Sequence, residues 1–160
     1  SQYGGVAMWS IDKAAHRVIG KGQDKSGLGR WAWVRYRGKD NVTLRIFTAY
    51  RPNPPSEGPF TVYAQHRTYF NTINDDRCPR EAFITDLMIE IQETLQEGDN
   101  IIVMLDGNED MRSGALSNAF HTCTLREVIL EKHAKRDPSV GRPAEPSHIH
   151  LCAISNHLVF

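Results

Sequence analysis

Residues 101–105 read Ile-Ile-Val-Met-Leu, a short, apolar, largely β-branched run that stops at Asp106-Gly107-Asn108. Such a run predicts a strand buried on both faces, an inner strand of a layered α/β domain. The residues before it supply a helix to cover it. Pro79 suits a first helical turn. Ile84, Leu87, Met88, Ile91 and Leu95 fall at i, i+3, i+4, i+7 and i+11, one apolar stripe. Gly98 is a natural residue to end that helix. The stripe is core and carries no chemistry.

Other segments read as strands. Residues 3–11 (Tyr-Gly-Gly-Val-Ala-Met-Trp-Ser-Ile) are β-prone. Residues 31–37 alternate, with Trp31, Trp33 and Arg35 on one face and Ala32, Val34 and Tyr36 on the other. Gly38-Lys39-Asp40-Asn41 supplies turn chemistry. Residues 42–50 alternate again, so the pair predicts a hairpin. Four prolines make residues 51–59 a loop, because proline offers no backbone donor. A second helical stretch is expected over Leu125 to His133, and a last strand over Leu151 to Phe160. His121 and Cys123 read as ordinary residues between helical segments. No internal repeat is present.

A length of 160 residues fits one domain or a piece of a larger one, and 40% apolar residues fit a globular chain. No apolar run approaches the roughly 20 residues of a membrane helix. No basic-plus-apolar leader opens the chain. Three widely spaced cysteines, Cys78, Cys123 and Cys152, suit a reducing compartment. These features predict an intracellular protein, nuclear or cytoplasmic. Ser1 is not a start methionine and strand-like sequence begins at once, so the N-terminus reads as a cut edge.

The net charge is zero, which excludes a bulk polycation. That zero hides an asymmetry. Residues 13–51 carry ten Lys and Arg against Asp24 and Asp40. Residues 71–110 carry eleven Asp and Glu against Arg77 and Arg80. Either one side meets an anionic partner, or both are solvated faces of a neutral protein. Trp9, Trp31, Trp33 and Tyr36, interleaved with Arg30, Arg35 and Arg37, suit either stacking on nucleic acid or half-buried hairpin packing. Packing is the favoured reading for the tryptophans.

Two strand ends carry the chemistry. Asp106 and Asn108 leave the 101–105 run together, with Gly107 allowing a tight turn. Strand C-termini are where α/β folds place their sites. A carboxylate accepts a proton or binds a metal, and a carboxamide both donates and accepts. An Asx turn capping the strand explains the same residues. The second end is Tyr50-Arg51-Pro52-Asn53, where Tyr50 and the Arg51 fork suit a phosphate. An edge strand running into a proline loop explains it equally.

A strand ending Ala49-Tyr50-Arg51-Pro52-Asn53, then a helix, then Ile101 to Asn108 resembles the middle of the endonuclease/exonuclease/phosphatase superfamily, the pancreatic-deoxyribonuclease-like enzymes. Tyr50-Arg51-Pro52 matches its Tyr-x-Pro strand end. Leu105-Asp106-Gly107-Asn108 matches its Gly-Asp-x-Asn motif, with Leu105 in place of glycine. Residues 3–8 resemble the family strand that follows its metal-binding glutamate. The match covers residues 3–135, and its closest flavour is the endonuclease domain of retrotransposons. The resemblance implies a two-sheet, four-layer α/β sandwich, incomplete here. Residues 1–160 would be a partial domain lacking the N-terminal strands and the usual C-terminal end, with 137–160 a divergent tail.

The resemblance also implies metal-dependent hydrolysis of nucleic-acid phosphodiesters. Tyr50, Asp106 and Asn108 would be the catalytic residues. Arg51, Arg35 and Arg37 would hold phosphate or nucleic acid. Asp106 and Asn108 would reach a Mg²⁺ or Mn²⁺ ion whose primary glutamate is absent from this chain. Asp106 would orient or deprotonate a water, Asn108 would position it, and Tyr50 would hydrogen-bond the phosphate. DNA or RNA is the expected partner of a monomer, with no membrane and no protein partner indicated.

The family ends on a Ser-Asp-His, and the nearest echo is Ser155-Asn156-His157. Chance explains one tripeptide better than homology does. His148, His150, Cys152 and His157 have zinc-ligand chemistry, but their spacing fits no common pattern, and a solvated tail is the better reading. Two alternatives therefore stand beside the nuclease: an inactive, degenerate fragment that retains nucleic-acid affinity, and a phosphatase of the same superfamily.

Overall fold

A computed structural model describes residues 5–55, 58–109, 114–128 and 150–155. The elements run α1 (Asp12–Ala15), β1 (Val18–Gln23), β2 (Trp31–Arg37), β3 (Thr43–Tyr50), α2 (Val62–Thr72), α3 (Pro79–Gln96), β4 (Asn100–Asp106), α4 (Ala115–Thr122), β5 (Leu125–Glu127) and β6 (His150–Ser155). The six strands form one sheet in the order β1-β2-β3-β4-β6-β5.

The alternating segments make the expected hairpin, in register from Trp31 opposite Ala49 to Arg37 opposite Thr43. Asp40 and Asn41 take positive φ in its turn, a conformation these two residue types accept at low cost. β4 pairs with β3 in parallel, and every other pairing is antiparallel. A parallel pair needs a long crossover, and here α2 and α3 provide it.

α3 begins at Pro79, as expected. Its Phe83, Leu87, Met88 and Ile91 pack with Leu116 and Phe120 of α4 on Trp31, Phe47, Ala49, Ile101, Val103 and Leu105 of the sheet. Each such side chain contributes roughly 1.5–3 kcal/mol by leaving water. α2 lies outside this core and packs through Phe70 against Ala82 and Leu28.

Among the described residues helices cover one sheet face, which corrects the expectation for residues 101–105. Ile101, Val103 and Leu105 are buried, while Met104 is 44% exposed and Ile102 half-buried. The described residues hold one sheet and one helical layer. Residues 5–11 are not a strand, because their apolar groups find no partner: Trp9 is 82% exposed and Ile11 71%. They instead reach the second face, where Ser10 Oγ and Tyr36 Oη lie 2.6 Å apart.

Three more expectations change. Leu125–Glu127 is a strand and not the start of a helix. Thr124 at φ 58° turns the chain after α4, and Leu125 enters the sheet opposite Ser155. Residues 129–133 lie outside the described residues. α2 and α4 were not foreseen. Residues 150–155 are no solvated tail, since their backbone pairs with β4 on one side and β5 on the other. The rest of the divergent tail, 137–149 and 156–160, lies outside the described residues.

The charge asymmetry resolves inside the fold. Arg30 pairs with Asp24 at 2.6 Å and Asp86 at 2.8 Å. Arg35 and Arg45 both grip Asp99, each at 2.7 Å, and Arg45 also bonds Glu97. Arg45 stacks 4.3 Å from the Trp33 ring, whose Nε1 donates to Glu90 at 3.0 Å. The basic hairpin and the acidic α3 region neutralise each other. Most of these charges are therefore neither solvated nor free for an anion, Arg35 included. Trp31 and Trp33 pack in the hairpin as favoured.

Candidate active site

The site stands on one register relationship. Because β3 and β4 run parallel with Tyr50 opposite Asp106, both strands end at the same edge of the sheet. Adjacent strands lie about 4.8 Å apart. Ala49 and Leu105 face the helices, so the next residue on each strand, Tyr50 and Asp106, emerges on the opposite face.

The loops beyond the strands are tied together. Arg51 N donates to Asp106 O at 3.0 Å, adding one bond past the ladder. Asn108 Nδ2 donates to Arg51 O at 2.7 Å, and Asn108 N to Asp106 Oδ1 at 3.4 Å. Asn108 takes φ 47°, so the Asx turn that the sequence allowed is present. It coexists with the converging geometry, because it uses only one oxygen of Asp106.

Two guanidiniums brace this edge. Arg51 is 4% exposed and meets Glu109 Oε2 at 3.0 Å and Arg80 O at 3.3 Å. It is thus a buried brace, not an open phosphate ligand, which corrects the role expected for it. Burial, then the neighbouring Arg80 charge, push its guanidinium below the ordinary value, and Glu109 opposes them. Glu109 Oε2 also accepts from Leu116 N at 3.1 Å, capping α4. Arg80, at the start of α3, donates to Pro52 O and to Asn108 O. Burial pushes Arg80 down as well.

Arg80 and Glu109 tie this edge together, and no local pattern in the sequence marks them. A pocket of about 200 Å³ beside the site is lined by Tyr50, Asn53, Pro54, Thr61, Val62 and Tyr63. Tyr63 Oη lies 3.7 Å from Cys78 Sγ. Burial pushes the Cys78 thiol up, but backbone N–H groups of Arg80 and Glu81 outweigh it and leave it below the usual range.

Other expected residues lie elsewhere. Arg35 and Arg37 sit toward the far end of the hairpin, where Arg37 is opposite Thr43. The step from Thr43 to Tyr50 is roughly 23 Å at about 3.3 Å per residue, so neither arginine reaches Asp106. Ser155 ends β6 opposite Leu125, whereas Asp106 is opposite His150. The Ser155-Asn156-His157 echo therefore starts at the wrong end of the sheet, and Asn156 and His157 lie outside the described residues. So do His148 and His157 of the zinc reading. Among the described residues no three His, Cys, Asp or Glu gather to hold a metal ion. No helix among them is long and apolar enough to cross a membrane.

The side-chain oxygen donors that a magnesium or manganese ion could use at the end of β4 are few. Asp106 and Asn108 leave β4 together, linked by the bond from Asn108 N to Asp106 Oδ1, while Glu109 is engaged by Arg51. Mg²⁺ keeps several waters and takes few carboxylates, sharing substrate phosphate oxygens. Two oxygen donors fit the ion only in that sparse form.

The sheet and its helical layer define a mixed α/β fold. The chain is similar in structure to the human Nocturnin catalytic domain solved with a bound sulfate anion, at a TM-score of 0.55 and 12% identity, over 89% of this chain and 50% of that one. It therefore spans half the length of that domain. It is also aligned with beta toxin 275-280 from Staphylococcus aureus, at a TM-score of 0.41 and 8% identity, over 70% of this chain and 38% of that one. No protein-family model and no curated protein matches the sequence.

Proposed function

We propose that the chain is a hydrolase of the endonuclease/exonuclease/phosphatase superfamily, cleaving nucleic-acid phosphodiesters at Tyr50, Asp106 and Asn108. The observation that supports it is the parallel register of Tyr50 and Asp106, with Asn108 bonded to the Arg51 carbonyl between them. In-line phosphoryl transfer needs an aligned nucleophile and charge neutralisation more than covalent chemistry. Asp106 accepts the proton of a water that Asn108 Oδ1 helps to hold. The Tyr50 hydroxyl donates to a phosphate oxygen. A Mg²⁺ or Mn²⁺ ion bound at Asp106 and Asn108 would neutralise charge on the phosphate. Arg51 and Arg80 act by holding the two loops in place.

The open apolar face around Ile46, Ile102 and Met104 is where the second sheet of such a sandwich would pack. Retrotransposon-type endonuclease is the finer reading, by the Tyr50-Arg51-Pro52-Asn53 strand end. A second reading, nucleic-acid binding without catalysis, is favoured by one observation: Asp106 is the only carboxylate among the described site residues that is not engaged in an ion pair.

A plasmid-nicking assay in Mg²⁺ separates the two. Under the hydrolase reading the wild type nicks, Asp106→Ala loses about a hundredfold or more, and Tyr50→Phe loses less. Equal rates in all three, or none in the wild type, would remove catalysis and leave the binding reading.

A further inference from the structure

We propose that a cleft at the opposite end of the sheet from Asp106 binds a phosphate-bearing anion through Arg17 and Arg37. The cleft has a volume of about 450 Å³ and is lined by His16, Arg17, Val18, Ile19, Arg37, Gly38 and Lys39. It forms where β1 begins and β2 ends, since Val18 lies opposite Tyr36.

Its charge is part of what remains after the fold has neutralised most of the hairpin's arginines. Of the basic residues in 13–51, Lys25, Arg30, Arg35, Arg45 and Arg51 face carboxylates. Among the described residues Arg17 and Arg37 have no ion pair. Lys39 has one, to Asp40 at 3.9 Å, with both side chains more than four-fifths exposed. A pair that open contributes little and leaves Lys39 available. α1 stands just before the cleft and adds Asp12 and Lys13, which cancel. The cleft therefore holds Arg17, Arg37 and Lys39 against Asp40, with the His16 ring N–H as a further donor.

The two arginines are fixed relative to each other by the backbone. Arg37 N donates to Arg17 O at 2.8 Å, just before the register shift between Val18 and Gly20. Two exposed forks lining one cavity, one just before β1 and one at the end of β2, suit a tetrahedral oxyanion, because a guanidinium bonds phosphate oxygens bidentately. The apolar walls, Val18 and Ile19, leave room for the group that carries the phosphate. The cleft lies roughly 23 Å from Asp106 along the strands, so it is a separate site and stands whether or not Asp106 is catalytic. The phosphate belongs either to a nucleic-acid backbone or to a small molecule, and the two arms of the test distinguish these.

The test measures binding of a fluorescein-labelled single-stranded oligonucleotide to the full chain by anisotropy, in chelator so that nothing is cleaved. Inorganic phosphate serves as the second probe, by calorimetry and as competitor. Arg17→Gln with Arg37→Gln is compared with Lys21→Gln and Lys25→Gln, which remove the same charge outside the cleft. All four side chains are exposed, and circular dichroism checks the fold. The cleft double variant is expected to bind about tenfold more weakly, and the control double variant within about twofold of wild type. For three phosphate contacts a fourfold rise in salt lowers affinity on the order of tenfold. Oligonucleotide binding lost only in the cleft variant supports a nucleic-acid backbone. Phosphate binding lost there, with the oligonucleotide no tighter, supports a small phosphorylated ligand. Binding of neither probe, or equal loss in both double variants, overturns the proposal.

Discussion

Asn108 donates its side-chain amide to the backbone carbonyl of Arg51 at 2.7 Å, across two strand ends that are 57 residues apart in sequence. This bond holds the loop after β4 to the loop after β3, so Tyr50 and Asp106 keep their spacing. Asn108→Ala removes it and puts alanine at φ 47°, a left-handed conformation. The expected cost is about 1–3 kcal/mol. Asn108→Gly relieves the backbone part and recovers some of it. Urea unfolding of the three proteins measures both.

Asp99 is the buried anchor of the hairpin. Burial pushes its carboxyl up, but the Thr43 hydroxyl and the Arg35 and Arg45 guanidiniums outweigh this and hold it below the usual carboxylate range. A carboxylate depressed in the folded state stabilises above its unfolded value and loses that contribution as pH falls below about 4. Asp99→Ala leaves the buried Arg45 with Glu97 and Thr94 as its remaining partners and is expected to cost about 1–3 kcal/mol at neutral pH. Chemical denaturation at pH 7 and pH 3 checks this: the gap between wild type and variant should narrow at the lower pH.

His66 on α2 predicts an acid sensitivity at higher pH. Burial, then the nearby Arg30 charge, lowers its imidazole to about 4, against about 6.5 unfolded. Between those values the unfolded chain binds more protons than the folded one. Stability is therefore full above about 6.5 and falls as pH drops toward 4. The loss for a group this buried is on the order of 3 kcal/mol. His66→Phe keeps a ring and removes the titration, so its melting temperature should decline less over that window. Parallel slopes for wild type and variant would refute the assignment.

Gly22 is confined by its neighbour across the hairpin. A Cβ there would run into the Trp33 ring, which is itself held by Arg45 and Glu90. Gly22→Ala is expected to cost about 1–3 kcal/mol by overpacking. In a Trp33→Leu background the same change should cost much less, and a double-mutant cycle reads the coupling.

What the sequence determined by itself is local. Alternation placed the 31–50 hairpin, because side chains on a strand change face at every residue. Pro79, the 84–95 stripe and Gly98 placed α3, because helix ends and faces are written in nearby residues. The same logic contains α2, where Thr61 caps the start and Val62, His66, Tyr69, Phe70 and Ile73 share a side. In the sequence that stripe is masked by two tyrosines and a histidine among polar residues.

Only the tertiary structure decided the rest. Charge counted along the chain suggested a basic side and an acidic side, but folding laid the hairpin against α3 and turned most of both into internal ion pairs. The run at 101–105 looked doubly buried, yet burial depends on what covers each face, and the helices cover one. Tyr50 and Asp106 were legible as two strand ends. That they share an edge follows from parallel pairing, which the long crossover through α2 and α3 permits and no short motif encodes. Arg51, Arg80 and Glu109 brace that edge through contacts between distant segments. The sequence supplies the side chains at each strand end, and the long-range pairings decide which of them meet.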